Sequence, residues 1–417
     1  MNQVEVKIRN QAVDKYSGLR RYERRFQVNT LESDVLKMLG LVRSLKNSFA
    51  PINRIPPEIF SLIPDYYDEH DADQALIALT GVYRSWRDML ISRSSLWTTL
   101  DLMNVEKTRT YIRRSNSSPL KIYLYENEVQ GVTYLNDAFS LAMRHIRRLK
   151  SLEIRGHNPR FDSRLFGRDL PSSRELSMLG TITWLPRNNM TNLRVFKLGS
   201  WNPIYGVTRL LDLLESSPLL HTVKLCGSIP DSSNAPPQRT ALLPHLNDLV
   251  VHADQAHSIV LNHLRIPMGA SISQYFHFGG TKSPLVEYLP EASTNLMNLS
   301  HVNTVNLLFD SEEKFVELSG PSGSLRIFGY WKDWVTASWF VMDREILRSL
   351  STPILSTVRK LSISRYGHPG PAEGYDCPIF QTLSSMTNLQ TLELTECNNQ
   401  PFILALDPEV NESKLVL

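Results

Sequence analysis

The sequence is poor in cysteine, with three in 417 residues: Cys226, Cys377 and Cys397. They are far apart and odd in number, and none belongs to a Cys-x-x-Cys pair. A disulfide framework is built from an even set of cysteines, and a structural zinc site from closely spaced ligands. We therefore expect a protein of a reducing compartment that carries neither a metal nor another cofactor.

Long apolar runs and a strong net charge are also missing. No apolar stretch approaches the roughly 18 residues of a membrane span, and the polar N-terminus does not resemble a signal peptide. With 45 basic and 42 acidic residues, the formal net charge is +3, too small to attract nucleic acid or a membrane by bulk electrostatics. We expect an intracellular protein, cytoplasmic, nuclear or both, that binds neither.

Signatures of catalysis are not found in the sequence. It contains no P-loop, no Gly-x-Ser-x-Gly turn and no glycine pattern for dinucleotides. The acids from Asp65 to Asp73 lack the order of a calcium loop, and His252, His257 and His263 lack the spacing of metal ligands. We expect no catalytic or metal-binding residues. An enzyme with an unrecognised site is the least favoured alternative.

The chain begins with a polar, basic arm, residues 1–30, which we interpret as disordered; a nuclear-import signal is the alternative. Residues 31–50 follow, with an apolar side chain every three or four residues from Leu31 to Leu45. This spacing predicts an amphipathic helix ended by Pro51. Two heptads are fewer than indicate a coiled coil. We expect the helix to pack beside the next segment, and self-association stays open.

Residues 51–100 predict three short helices. Pro56 and Pro57 precede Glu58, an arrangement that favours a helix start, and Pro64 marks its end. The next helix has an apolar stripe that ends at Val82, and a third helix follows. A unit this short buries little apolar surface, so part of its stripe should be covered by a partner. Packing of the same stripe on the C-terminal region is the alternative.

This segment resembles the F-box, whose pattern is Leu-Pro-x-Glu, then Val-x-x-x-Trp, then Leu-Trp. The sequence has Ile55-Pro56-Pro57-Glu58, Val82-Tyr83-Arg84-Ser85-Trp86 and Leu96-Trp97 in that order. It departs from the family in a long acidic stretch, residues 64–73, and in Tyr83, where cysteine is frequent. The resemblance implies a module that docks on the Skp adaptor of a cullin-RING ubiquitin ligase. The adaptor contacts that it implies are Ile55, Pro56, Ile59, Leu76, Val82 and Trp86.

A second pattern fills the rest of the chain. The template Leu-x-x-Leu-x-Leu, with Val, Ile or Phe allowed, begins at seven positions: Leu149, Leu193, Leu220, Leu246, Val302, Val358 and Leu389. Two of the steps, 26 and 27 residues, lie in the range of leucine-rich repeats, and two steps of 56 residues predict a degraded repeat in between. We expect those hidden strands near Phe276 and over Leu325–Tyr330. We expect the three tryptophans from Trp331 to Trp339 to pack in the core.

The template positions are expected to point into a shared core, while the residues between them face outward along a concave sheet. We therefore predict an α/β protein in which a helical F-box precedes an irregular leucine-rich-repeat solenoid over residues 101–417. The whole chain resembles fungal F-box proteins with degenerate repeats. That resemblance implies a substrate receptor with no catalysis of its own, which binds the Skp adaptor, through it a cullin, and a protein substrate. A repeat scaffold outside any ligase is the alternative.

The outward residues of the predicted sheet are basic in its middle and in the repeat at Arg359. Because arginine clusters recognise phosphate and carboxylate groups, we expect an acidic or phosphorylated substrate segment. A solvated face without a partner is the alternative. The candidate substrate-binding residues are Arg194, Lys197, Lys224, Arg359 and Lys360.

Overall fold

The structure is a computed structural model that describes residues 10–11, 21–51, 55–60, 62–63, 69–125, 132–157, 170–181, 185–200, 206–227, 239–253, 257–278, 296–309, 313–331, 356–364, 383 and 386–397. Four features singled out in the sequence lie wholly or partly outside these residues: most of the basic arm, most of the acidic stretch before Asp73, Cys377, and Trp334 with Trp339. The chain divides into two compact units, Met1–Leu96 and Trp97–Leu417. The prediction of an α/β protein is confirmed.

The first unit is helical where it is described. Its helices are α1 (Arg21–Ser48), α2 (Pro57–Phe60), α3 (Glu69–Val82) and α4 (Arg84–Ser92). All four helices that the sequence predicts between Leu31 and Ser92 are therefore present. α1 begins at Arg21, ahead of the predicted start, so residues 21–30 are helical. Its acidic residue in the first turn, Glu23, and its basic residue in the last, Lys46, suit the helix dipole.

The helices α3 and α4 pack on each other across a sharp junction at Tyr83, whose extended backbone separates them. The side chain of Arg87 on α4 reaches back over this junction. Its Nε donates a hydrogen bond of 2.8 Å to the carbonyl oxygen of Thr80, near the end of α3. The last carbonyl groups of a helix have no hydrogen-bond partner within that helix. The bond from Arg87 provides a partner for one of them and holds the two helices at a fixed angle.

The second unit contains one large sheet and a small two-stranded one. Its strands are β1 (Thr99–Asp101), β2 (Leu120–Tyr125), β3 (Leu149–His157), β4 (Glu175–Thr181), β5 (Val195–Ser200), β6 (Thr222–Gly227), β7 (Ala241–Leu242), β8 (Asp248–Ala253), β9 (Leu264–Arg265), β10 (Ser271–Phe278), β11 (Thr304–Phe309), β12 (Glu313–Gly320), β13 (Gly323–Trp331), β14 (Lys360–Ser364) and β15 (Thr391–Thr395). Its α-helices are α5 (Val105–Ser115), α6 (Val132–Met143), α7 (Val207–Glu215) and α8 (His257–Asn262). Short 3-10 helices lie at Ser94–Trp97, Ile146–Arg148 and Met297–Leu299.

The large sheet has thirteen strands in the order β1-β2-β3-β4-β5-β6-β8-β10-β13-β12-β11-β14-β15. Every neighbouring pair is parallel except the two that involve β12, which is antiparallel to β11 and β13. From β1 to β10 the strands join the sheet in chain order, while β7 and β9 pair separately. From β1 to β10 the sheet therefore grows in one direction, whereas β11, β12 and β13 are inserted in reverse order between β10 and β14.

All seven template matches are strands of this sheet: β3, β5, β6, β8, β11, β14 and β15. The two hidden strands expected near Phe276 and over Leu325–Tyr330 are present as β10 and β13. The sequence did not predict β4 or β12. β4 escapes the template because its first template position is Ser173 and its last is Met178, and both are buried as leucine would be. β12 follows β11 directly, so it returns as an antiparallel partner.

The core lies on one face of the sheet. One row of cross-strand neighbours is at most 1% exposed: Leu152, Leu176, Phe196, Val223, Leu249, Ile272, Leu325, Leu318, Val305 and Leu361. Because side chains alternate along a strand, the residues between these positions lie on the opposite face. The helix α7 buries five apolar side chains: Val207, Leu210, Leu211, Leu213 and Leu214.

A turn with the sequence Met-Thr-Asn-Leu precedes two distant strands, at residues 190–193 and 386–389. In each copy the leucine N–H donates to the methionine carbonyl at 3.0 Å. In each copy the asparagine side chain donates to a carbonyl of the turn before the preceding strand, at 2.6 Å from Asn192 to Pro171 and 2.7 Å from Asn388 to Ser356. The same local structure therefore recurs at two distant places in the sheet, before β5 and before the terminal strand β15.

Candidate binding surfaces

Two lysines lie side by side on the face of the sheet that is opposite the core. Lys197 on β5 and Lys224 on β6 are direct cross-strand partners, so their Cα atoms are about 4.8 Å apart. Like charges placed directly opposite each other destabilise a sheet. In the part of the chain that the structure describes, no carboxylate forms an ion pair with either lysine. This pair is an unneutralised positive site.

A row of basic residues follows the edge of the sheet where the parallel strands begin. Backbone hydrogen bonds of 2.8 Å join Arg174 to Lys150, Arg194 to Arg174, and His221 to Arg194. The side chains of Arg174 and Arg194 are exposed. Each of these residues precedes or begins a neighbouring strand, and Arg194 comes three residues before Lys197. The row therefore runs parallel to the lysine pair, about 10 Å away along the strands. Together the two rows form a basic patch of five residues: Lys150, Arg174, Arg194, Lys197 and Lys224.

The structure brings three of the predicted substrate-binding residues together and separates the other two. Arg194, Lys197 and Lys224 share the basic patch. Arg359 and Lys360 lie at the start of β14, and five strands separate β14 from β6. Lys360 is also neutralised, because its Nζ lies 2.7 Å from Oε1 of Glu393. The predicted substrate-binding residues therefore lie at two separate places on the sheet, and their role in binding stays a prediction.

Arg174 is the member of the patch that the sequence did not single out. It precedes β4, the strand that the leucine template missed. The available signal was weak, since Ser173 and Met178 occupy template positions where leucine was expected. A looser template that allowed serine and methionine would have placed Arg174 beside Arg194.

On the same face, beyond the basic patch, the described carboxylate of Glu317 is paired with an arginine. On β12, Glu317 accepts a hydrogen bond of 2.7 Å from Arg326 and one of 2.9 Å from Asn306. Burial raises the pKa of Glu317, but these two hydrogen bonds and the charge of Arg326 outweigh burial and leave the pKa below its ordinary value.

A ladder of four rings crosses the face next to the patch: His252, Tyr275 and Phe328 are stacked, and Phe315 is tilted by 37° against Phe328. The ring centroids are 4.4, 4.6 and 4.8 Å apart in that order. All four side chains are half-buried, so their edges reach the surface. Aromatic residues anchor many protein interfaces. No sequence pattern predicts this ladder, because it forms only when β8, β10, β13 and β12 are in register.

The first unit carries its own exposed apolar set. Ile59 on α2, and Ile77 and Val82 on α3, expose 56%, 52% and 59% of their surface. Leu62, just after α2, exposes 43%. Of the predicted adaptor contacts, Pro56, Ile59 and Val82 are exposed and Ile55 is half-buried.

The structure corrects two of the predicted adaptor contacts, Leu76 and Trp86. Leu76 is 3% exposed and Trp86 is 7% exposed, so neither reaches the surface of the chain. The sequence grouped Leu76, Ile77 and Val82 in one stripe. Successive residues of a helix point about 100° apart, which lets α3 bury Leu76 while its neighbour Ile77 faces outward. Ile77 therefore takes the place of Leu76 in the exposed set.

The predicted closing pair Leu96-Trp97 lies at the boundary between the two units. Trp97 is fully buried and packs edge-to-face on Tyr111 of α5, with ring centroids 5.0 Å apart. The guanidinium of Arg114 lies 4.2 Å from the centre of the Trp97 ring. Burial, followed by the charge of Arg113, lowers the pKa of Arg114, while Tyr111 opposes that shift. Trp97 is thus a core residue of the second unit.

Within the described ranges, no group of three histidine, cysteine or acidic side chains is arranged to hold a metal ion. No helix in those ranges has both the length and the apolar character to cross a membrane. The sequence matches no protein-family model and no curated protein.

Proposed function

We propose that this protein is an F-box substrate receptor of a cullin-RING ubiquitin ligase. Its first unit docks on the Skp adaptor, and its sheet recruits a protein for ubiquitination. The observation that carries the proposal is the exposed apolar set Ile59, Ile77 and Val82, on short helices that follow the F-box spacing. Exposed apolar groups gathered on one small unit are typical of an interaction surface.

The architecture of the second unit supports the recruiting half of the proposal. Parallel strands that join the sheet in chain order from β1 to β10, with the same turn before β5 and β15, are what a degenerate leucine-rich-repeat solenoid would give. Repeat folds of this kind bind partners on an extended sheet surface. The basic patch and the aromatic ladder both lie on such a surface, outside the core.

A pull-down with purified Skp adaptor tests the docking half. We expect the wild type to bind, and Ile77→Asp to lose binding at least tenfold, because a carboxylate on the exposed apolar set would have to be buried unpaired. Gln74→Asp, an exposed change on the same helix, is the matched control and should bind as the wild type does. Equal binding by Ile77→Asp and the wild type would contradict the proposed surface.

The basic patch suggests an acidic or phosphorylated segment as the substrate class. We expect the full chain to bind a doubly phosphorylated serine peptide better than its unphosphorylated form, and more weakly at high salt. Lys197→Glu/Lys224→Glu should abolish that preference. Arg144→Glu/Arg147→Glu, which makes the same change in charge at exposed positions outside the patch, should leave it intact. A preference that survives Lys197→Glu/Lys224→Glu would refute the assignment.

A leucine-rich-repeat scaffold outside any ligase is the second candidate. The burial of Leu76 and Trp86 favours this scaffold, because buried residues of the F-box pattern stabilise the first unit and do not contact an adaptor. The two candidates differ in one outcome. A ligase subunit co-purifies with both adaptor and cullin, whereas a scaffold that docks on the adaptor alone leaves the cullin behind.

A further inference from the structure

In the part of the chain that the structure describes, no side of the helix α1 is covered. Every described side chain from Arg25 to Phe49 is exposed, including those of Val35, Met38 and Val42, at 54%, 67% and 64%. Helices in proteins draw most of their stability from packing an apolar face. A 28-residue helix with an apolar face in water is therefore expected to pack against another molecule.

The apolar residues of α1 follow a heptad repeat that extends further than the stripe read from the sequence. In one register the a positions are Val28, Val35 and Val42, and the d positions are Leu31, Met38 and Leu45. Phe49 continues the series just after the helix. Apolar residues repeated at a and d form the seam along which helices pair in a coiled coil. Phe26 and Leu36 are the apolar residues of α1 that lie away from this seam.

The residues beside the seam distinguish two helix directions. In a parallel pair, Asp34 would face Leu39 of the second helix and Leu41 would face Lys46, so no opposite charges meet. In an antiparallel pair centred on Gly40, Glu32 faces Lys46 of the other copy at both ends. Leu39 and Leu41 then meet their own copies in the middle. The charges and the apolar side chains are both matched only in the antiparallel arrangement.

We propose that α1 pairs with α1 of a second copy of this chain as an antiparallel coiled coil. The contact is isologous: the same surface is used by both protomers, so the assembly closes as a dimer. Val35 packs near Leu45 of the other copy, and Val42 packs near Met38. The proposal uses no residue of the first unit's exposed apolar set or of the basic patch, so it stands or falls independently of the proposed function.

The first test is the mass of the full chain in solution by light scattering. We expect a dimer for the wild type and a monomer for Val35→Glu/Val42→Glu, because two carboxylates would enter the seam. Ser33→Glu/Asn47→Glu places the same charge on the outer face of α1 and should stay dimeric. Circular dichroism of both variants checks that the helix persists. A wild-type monomer at micromolar concentration, or a dimer that survives Val35→Glu/Val42→Glu, overturns the proposal.

The second test fixes the direction of the helices. Glu32→Lys and Lys46→Glu alone should each weaken the dimer, by about tenfold in dissociation constant, because each replaces two attractions with two repulsions. The double change Glu32→Lys/Lys46→Glu should restore wild-type affinity. If the two single changes are additive instead, these residues do not face each other and the antiparallel assignment is wrong.

Discussion

At the scale of single residues, Glu317 shows how the outward face balances a buried charge. Its carboxylate is mostly covered and is held by Arg326 and Asn306, so its pKa lies below the ordinary value. A depressed pKa means that folding favours the ionised form. The resulting stability is present above the pKa of the unfolded chain, and it is lost as the pH falls through the lower pKa of the folded chain.

We therefore expect Glu317→Gln to destabilise the second unit at neutral pH and to cost progressively less as the medium becomes acidic. Urea unfolding at a series of pH values measures this difference. Glu175→Gln, at an exposed position on β4, is the control and should show no such convergence. If Glu317→Gln lowered the free energy of unfolding by the same amount at every pH, this result would contradict the assigned hydrogen bonds.

Gly180 is a second residue whose identity the fold requires. It has a φ of 114°, and a Cβ at this position would overlap the carbonyl oxygen of its cross-strand partner Gly156. We expect Gly180→Ala to destabilise the second unit by about 2 kcal/mol or more, because both the strain and the overlap must be relieved. Gly199→Ala on the adjacent strand should cost less, since only a methyl of Leu179 is in its way. Denaturant unfolding of both variants compares them.

At the scale of elements, Arg148 joins the end of α5 to the 3-10 helix before β3. Its guanidinium donates to the carbonyl oxygen of Ser118 at 2.7 and 2.9 Å and to the hydroxyl of Ser115 at 2.7 Å. The end of α5 is thereby tied to the 3-10 helix that leads into β3. Burial lowers the pKa of Arg148, whereas the hydrogen bonds to these acceptors stabilise its charged form.

Arg148→Ala should destabilise the second unit by about 2 kcal/mol, because it leaves partly buried oxygen acceptors without their donor. Arg147→Ala, at the exposed neighbouring position, removes the same charge without that loss and should be nearly neutral. Thermal unfolding of the two variants separates the role of the hydrogen bonds from the role of charge. Equal losses would mean that the hydrogen bonds contribute nothing.

The elements themselves were largely predictable from the sequence. Strands with a strict apolar period, such as the seven template strands, were found because the period is set by burial on one face. β4 was not, because Ser173 fills a leucine position. The basic patch was found in part: Lys197 and Lys224 follow from strand alternation, but the separation of Arg359 depends on how many strands intervene. The burial of Leu76 depends on how α3 packs on α4, which no local pattern records.

At the scale of the whole molecule, each of the three candidate surfaces is made of a different set of residues. The exposed apolar set and the seam of α1 lie in the first unit, and the basic patch lies in the second. Changes at one surface should therefore leave binding at the others unaltered. A receptor that connects an adaptor to a substrate needs this separation, because both partners must be bound at once.

The measurement that tests the central claim most directly is a calorimetric titration of the purified Skp adaptor into the full chain. The account predicts saturable one-to-one binding per chain that Ile77→Asp weakens at least tenfold and that Gln74→Asp and Lys197→Glu/Lys224→Glu leave unchanged. Failure of the wild type to bind the adaptor, with both units folded, would contradict the claim that this protein is an F-box receptor.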